Sequence, residues 1–205
     1  MSSDWRDGFL FVGNQLSLDF LNTRPVMDGS PVELLPGCAS LARWLNAAAL
    51  LSSRDGKRLE RSWSRQPAYA AMLGDVREFR ERLRHAVLRV EAGARPSMAF
   101  VAEVNRLLSA HPYIDEVVQT DAGLVRRKRF DPQTPLDVFA PVIESVASLL
   151  TNADKSRIRK CGNCVLHFYD ISKKGTRRWC SMNLCGNRSK VAAYTRRKRA
   201  EISSG

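Results

Sequence analysis

Four cysteines in two close pairs constrain this chain more than any other feature. Cys161-Gly-Asn-Cys164 is followed, after fifteen intervening residues, by Cys180-Ser-Met-Asn-Leu-Cys185. Two pairs of thiolates suit tetrahedral Zn²⁺, which takes soft sulfur ligands. The short gap predicts a tight turn that aims both sulfurs at one point. Gly162, Asn163 and, after the second pair, Gly186 are expected to supply positive φ there. The intervening stretch alternates Leu166 and Phe168 with polar neighbours before Lys-Lys-Gly, which predicts a small hairpin. Four thiolates fill the coordination shell, so a structural site is expected rather than a catalytic one with an open position. Competing readings are His167 in place of one cysteine, an all-cysteine iron–sulfur cluster and disulfides. They rank below zinc. A site this small is expected to need its metal to fold, around a minicore of Phe168 and Trp179.

The charge is as uneven as the cysteines. Residues 154–205 carry 14 Lys and Arg against Asp154, Asp170 and Glu201, or +11. The remaining 153 residues carry 19 against 18, or +1. Such asymmetry predicts an anionic partner, with nucleic acid first and an acidic membrane surface second. A solubilising tail would explain the charge but not the cysteine spacing.

Composition narrows the setting. No run of about 18 apolar residues predicts a membrane span. The start, MSSDWRDGFLF, lacks the pattern of a secretion signal. Five cysteines are an odd number, and four of them cluster. A reducing cytoplasm and a metal are expected. Cys38 reads as a buried small hydrophobe.

The apolar pattern divides the chain at residues 151–156. Phe9–Val12 reads as a short strand and Gly13-Asn14 as a turn. The stretch from Leu16 to Leu21 fits strand or helix. Helices are expected from Cys38 to Leu51, from Pro67 to Gly93, from Ser97 to before Pro112, and from Pro135 onward. Ile114–Thr120 and Leu124–Phe130 flank Asp-Ala-Gly as a hairpin. The expected class is α+β: a mainly helical N-terminal domain with a β-hairpin, residues 1–153, followed by a small four-cysteine zinc-finger domain, 154–205.

Beyond Cys185, Asn187 is expected to cap a helix from Arg188. Val191 and Tyr194 would face the zinc minicore. Arg188, Lys190, Arg196, Arg197, Lys198 and Arg199 would spread over the remaining surface, with Arg177 and Arg178 on the hairpin side. Arginine forks suit phosphate oxygens and guanine edges. For Arg188 a structural pair or stack over the knuckle is the alternative. For Arg196–Arg199 it is a solvated chain end.

Cys185-Gly186-Asn187-Arg188 spells the signature of the CGNR zinc-finger family. Phe168–Ser172 (FYDIS), Arg177–Met182 (RRWCSM) and the Cys161–Cys164 pair resemble the same family. Phe11-Val-Gly-Asn and Leu18-Asp-Phe-Leu-Asn-Thr23 resemble the ABATE domain that usually precedes that finger. The resemblance implies a bacterial stress-responsive transcription regulator, not an enzyme. The finger would bind DNA, and the N-terminal domain would sense a small-molecule effector. Asp19, Asn22, Thr23 and Arg24 are then the candidate effector residues. Their alternative is a structural role. A homodimer is expected, because one finger offers little contact surface. An RNA-binding or protein-interaction module, or an enzyme in the N-terminal domain, are the competing functions. No nucleophile–base constellation supports the enzyme.

Overall fold

The computed structural model describes residues 4–191 together with Tyr194, Thr195 and Lys198. The chain opens on a tight hairpin of β1 (Trp5–Arg6) and β2 (Phe9–Leu10). Asp7 and Gly8 turn it with φ of 47° and 80°. The ambiguous stretch is a helix, α1 (Leu16–Leu21), buried along most of its length. A second short hairpin follows, β3 (Val26–Met27) and β4 (Ser30–Pro31).

Four helices then build the core: α2 (Cys38–Ala47), α3 (Ser53–Ser64), α4 (Tyr69–Glu91) and α5 (Met98–Ala110). Ser97 caps α5 as expected, its hydroxyl accepting from the Phe100 N–H at 3.2 Å. Gly93, with φ of 78°, ends the turn after α4. Periodicity does not reveal α3, whose buried side chains are only Leu59 and Trp63. Gly56 lets α3 approach α2: a Cβ there would lie 2.8 Å from the Cβ of Asn46.

The expected hairpin is β5 (Ile114–Thr120) and β6 (Gly123–Arg129), paired antiparallel with Val118 opposite Val125. A 3₁₀ turn from Pro135 leads into α6 (Phe139–Thr151). One cluster of buried residues joins Phe20, Trp44, Trp63, Phe79 and Ile143 from α1, α2, α3, α4 and α6.

The charged side chains of α4 are not all solvated. Arg80 is 1% exposed. Its guanidinium donates to Glu33 from Nη1 at 2.8 Å and Nη2 at 2.5 Å, and from Nη1 to Thr23 Oγ1 at 2.9 Å. Burying a charge costs several kcal/mol unless it is paired and hydrogen-bonded, and Glu33 and Thr23 supply both.

The last hairpin is β7 (Ile158–Lys160) and β8 (His167–Tyr169). It corrects the expected one. Phe168 pairs with Arg159 upstream rather than with the Lys-Lys-Gly side, so the first cysteine pair lies in the hairpin's own turn.

Candidate metal centre and nucleic-acid interface

The turn between β7 and β8 presents Cys161 and Cys164. The second pair comes from a different element. Ser181 caps a wide π-type turn, Met182–Gly186, accepting from the N–H groups of Asn183 and Leu184. Cys180 precedes that cap and Cys185 lies within the turn. All four sulfurs lie within 4.8 Å of one another. Cys164 Sγ is 3.7 Å from Cys180 Sγ. Four ligands at about 2.3 Å from one tetrahedral ion lie about 3.8 Å apart, so the cage has the dimensions of a metal site. The same 3.7 Å leaves that pair unbridged by a disulfide.

Crowding sets the four thiols against one another. Hydrogen bonds from Cys164 and Cys180 hold the Cys161 thiol well below its ordinary range. The bond to Cys161 pushes Cys180 up, and burial raises Cys185 to about 12. A divalent cation would replace the protons that this shared network otherwise keeps.

Glycine acts here through space, not through φ. Gly162 and Gly186 are absent from the positive-φ residues, as is Asn163, contrary to expectation. A Cβ on Gly162 would touch Trp179 at 3.0 Å, and one on Gly186 would meet the Met182 sulfur at 2.5 Å. Asn163 instead donates from Nδ2 to the Cys185 carbonyl at 3.0 Å, and also to the Ser189 hydroxyl, tying the first knuckle to the second.

The minicore is larger than Phe168 and Trp179. Leu10 and Val12, from the opposite end of the chain, pack with Leu166, Phe168 and the buried cysteines. Ser181 hydrogen-bonds the Asp4 carboxylate. His167 is 1% exposed but takes no place in the sulfur cage. Burial, then Arg84 and Lys160, push its pKa down to about 4, so the ring is neutral.

The outer edge of β8 is completed by the N-terminal motif. The Gly13 carbonyl accepts the Tyr169 N–H at 2.8 Å, and Asn14 Nδ2 donates to the Tyr169 carbonyl at 2.9 Å. Asn22 takes both backbone groups of His167. Three residues of the two quoted N-terminal stretches thus grip the finger. Thr23 is 2% exposed, donating to the Phe20 carbonyl and accepting from Arg80. Arg24 is exposed beside Glu81 at 3.4 Å. Of the four candidate effector residues, Asp19 lines a cleft, of about 560 Å³, with Arg6, Phe11, Leu16 and Ser145 among its walls. Its carboxylate accepts the Gly13 N–H at 2.7 Å. Burial nevertheless raises its pKa to about 7.

Two family models match the chain. One, ABATE, described as "Putative stress-induced transcription regulator", covers residues 14–153. The chain belongs to the ABATE family. The CGNR zinc-finger model covers residues 157–198 directly after it. No curated protein matches. The ABATE boundary leaves out Trp5, Leu10 and Val12, which the structure packs with the buried cysteines.

The basic residues of the CGNR segment divide by what they touch. Arg177 is a brace: its guanidinium lies 4.7 Å from the Phe168 ring centre and donates to the carbonyls of Trp179 and Cys180. Arg178 is exposed and lies 5.2 Å from the Trp179 ring centre. Arg188 donates to the Leu184 carbonyl one turn back and stays exposed, as does Lys190. The helix begins earlier than expected: Ser181, not Asn187, is its cap. Val191 and Tyr194 are 64% and 56% exposed rather than turned to the minicore. Lys198 is exposed beside Tyr194. Arg196, Arg197 and Arg199 lie outside the described residues. Sequence reasoning overlooked Lys155, Arg159 and Lys160, which line a cleft of about 610 Å³ with Arg178. The available signal was their crowding, with Arg157, into the six residues before Cys161.

Among the described residues no helix is long and apolar enough to cross a membrane.

Proposed function

We propose that this protein is a cytoplasmic transcription regulator whose four cysteines hold one structural Zn²⁺ and whose finger binds DNA. Two parts share the work: a helical effector domain, residues 1–153, and the finger, residues 154–205. One observation carries the reading. In the helical part Arg43, Arg80, Arg82, Arg84 and the whole run Arg126–Arg129 are matched to Asp or Glu, whereas Arg54 and Arg61 of α3, Arg89 of α4 and Arg95 of the next loop have no ion pair among the described residues. In the CGNR segment Arg157 and Arg159 are matched to Asp154 and Asp170, but Lys173, Lys174, Arg178, Arg188 and Lys190 make no ion pair among the described residues. Cations left without carboxylates beside a rigid knuckle are suited to phosphates, which position a protein on a duplex. Arg196, Arg197 and Arg199 extend the same charge. Arg177 serves by holding the knuckle. A dimer would double the contact surface.

The test is a titration of full-length, zinc-loaded protein with duplex DNA and with structured RNA over a salt series. DNA regulation predicts a steep fall of affinity with salt and a residual preference for the protein's own promoter. Equal affinity for every polyanion removes sequence-specific regulation, and a preference for RNA replaces it with the RNA-binding reading.

A further inference from the structure

A groove of about 600 Å³ runs between α5 and α6 below the end of α4. That volume lies within the range of small-molecule sites. Val101, Val104 and Leu108 of α5 line it, with Ala147 and Leu150 of α6 and Val90 of α4. Its polar side chains are Asn105, Thr151 and two cations, Arg95 and Lys155. Arg95 sits in the loop that closes one end, fixed by the Arg89 side chain, which donates to the Arg95 carbonyl at 3.0 Å. Both cations are exposed, and neither makes an ion pair among the described residues. Val90, Gly93 and Lys155 also line the basic cleft that continues past Arg159, Lys160 and Arg178. The groove is therefore apolar along its length and positive at its mouth.

We propose that this groove binds a single-chain amphiphile with an anionic head, a medium- to long-chain fatty carboxylate. The tail lies along α5 and α6, and the carboxylate meets Arg95 and Lys155. A second copy of the chain fits the surface less well. A two-fold contact would place identical Arg95 and Lys155 pairs together, on a protein that already carries +12. The proposal deepens the effector reading above and rests on it only for its regulatory consequence. Binding itself is measured without DNA.

Full-length protein is titrated calorimetrically with octanoate, decanoate and dodecanoate below their micelle concentrations, and with dodecyltrimethylammonium. One saturable site is expected, tightening by up to about fourfold for each methylene added. The ammonium amphiphile is expected to bind at least about tenfold more weakly than dodecanoate. Arg95→Glu with Lys155→Glu, both exposed and so compatible with folding, is expected to weaken dodecanoate about tenfold or more. Val101→Trp, which fills the groove, is expected to weaken dodecanoate more than octanoate. Absence of saturation, equal binding of the ammonium amphiphile, or indifference to the double charge reversal overturns the proposal. So does sedimentation showing a dimer that the double charge reversal dissociates. Loss of DNA recognition with carboxylate binding intact would overturn the regulator reading alone.

Discussion

Asn22 clasps His167 across 145 residues of sequence: its Nδ2 donates to the His167 carbonyl at 2.8 Å, and its Oδ1 accepts the His167 N–H at 2.9 Å. Both residues are 1% exposed. A carboxamide has one donor and one acceptor face, so it completes a strand edge as a neighbouring backbone would. Asn22→Ala strands two buried backbone groups, at a cost of about 2 kcal/mol or more. Thermal unfolding should fall by about 5 °C or more. An unchanged midpoint would return Asn22 to the pool of effector contacts.

Asp19 predicts an unusual pH response. Its carboxyl is raised from 3.8 to about 7 by burial. A carboxyl raised on folding holds its proton in the native state, so its favourable contribution is full below about pH 4 and is lost as pH rises through 7. Asp19→Asn keeps an acceptor for the Gly13 N–H and removes the titration. The variant should gain on the wild type by a few kcal/mol, to order of magnitude, between acidic and alkaline solution. Denaturant midpoints at pH 5 and pH 8 measure this; parallel pH dependence in the two proteins would refute it.

The Arg80–Glu33 pair should respond asymmetrically. Arg80→Ala leaves Glu33 partly buried without its main partner and should cost about 3 kcal/mol or more. Arg80→Met together with Glu33→Gln should cost clearly less, because no charge is stranded. Equal losses in the two variants would mean that packing, not charge, is what Arg80 supplies.

Metal removal should reach further than the CGNR segment. Leu10 and Val12 share the minicore with Cys161, Cys180 and Cys185. Under chelation, amide hydrogens of residues 4–12 should lose protection along with 158–186, while α4 and α6 keep theirs. Zinc analysis should give one equivalent for the wild type and none for Cys180→Ser. Protection of residues 4–12 that survives chelation would show that the opening hairpin folds without the cage.

Arg177 and Arg178 are neighbours with different expected phenotypes. Arg177→Ala should weaken metal retention, since the side chain braces the Trp179 and Cys180 carbonyls. Arg178→Ala should leave metal retention intact and lower the salt slope of DNA binding by about one phosphate contact, roughly 0.9. If both variants lose metal alike, Arg178 belongs to the fold.

The sequence by itself determined the sulfur cage, the amphipathic helices and the site of the charge. Each rests on local rules: ligand spacing, apolar period and counting. It also carried the β5–β6 hairpin and the Ser97 cap for the same reason. What tertiary structure decided is which polar residues were already spoken for. Asn22 and Thr23 look free in a motif, yet one completes a strand edge 145 residues away and the other supports a buried arginine. Arg177 looks like a phosphate contact and serves as a brace. Ser181 rather than Asn187 starts the last helix, because the chain must turn inside the cage before it can run straight. Helix α3 escaped notice because two buried side chains give too weak a period. A side chain's partners follow from which distant backbone it meets, and that is set only once the core has closed.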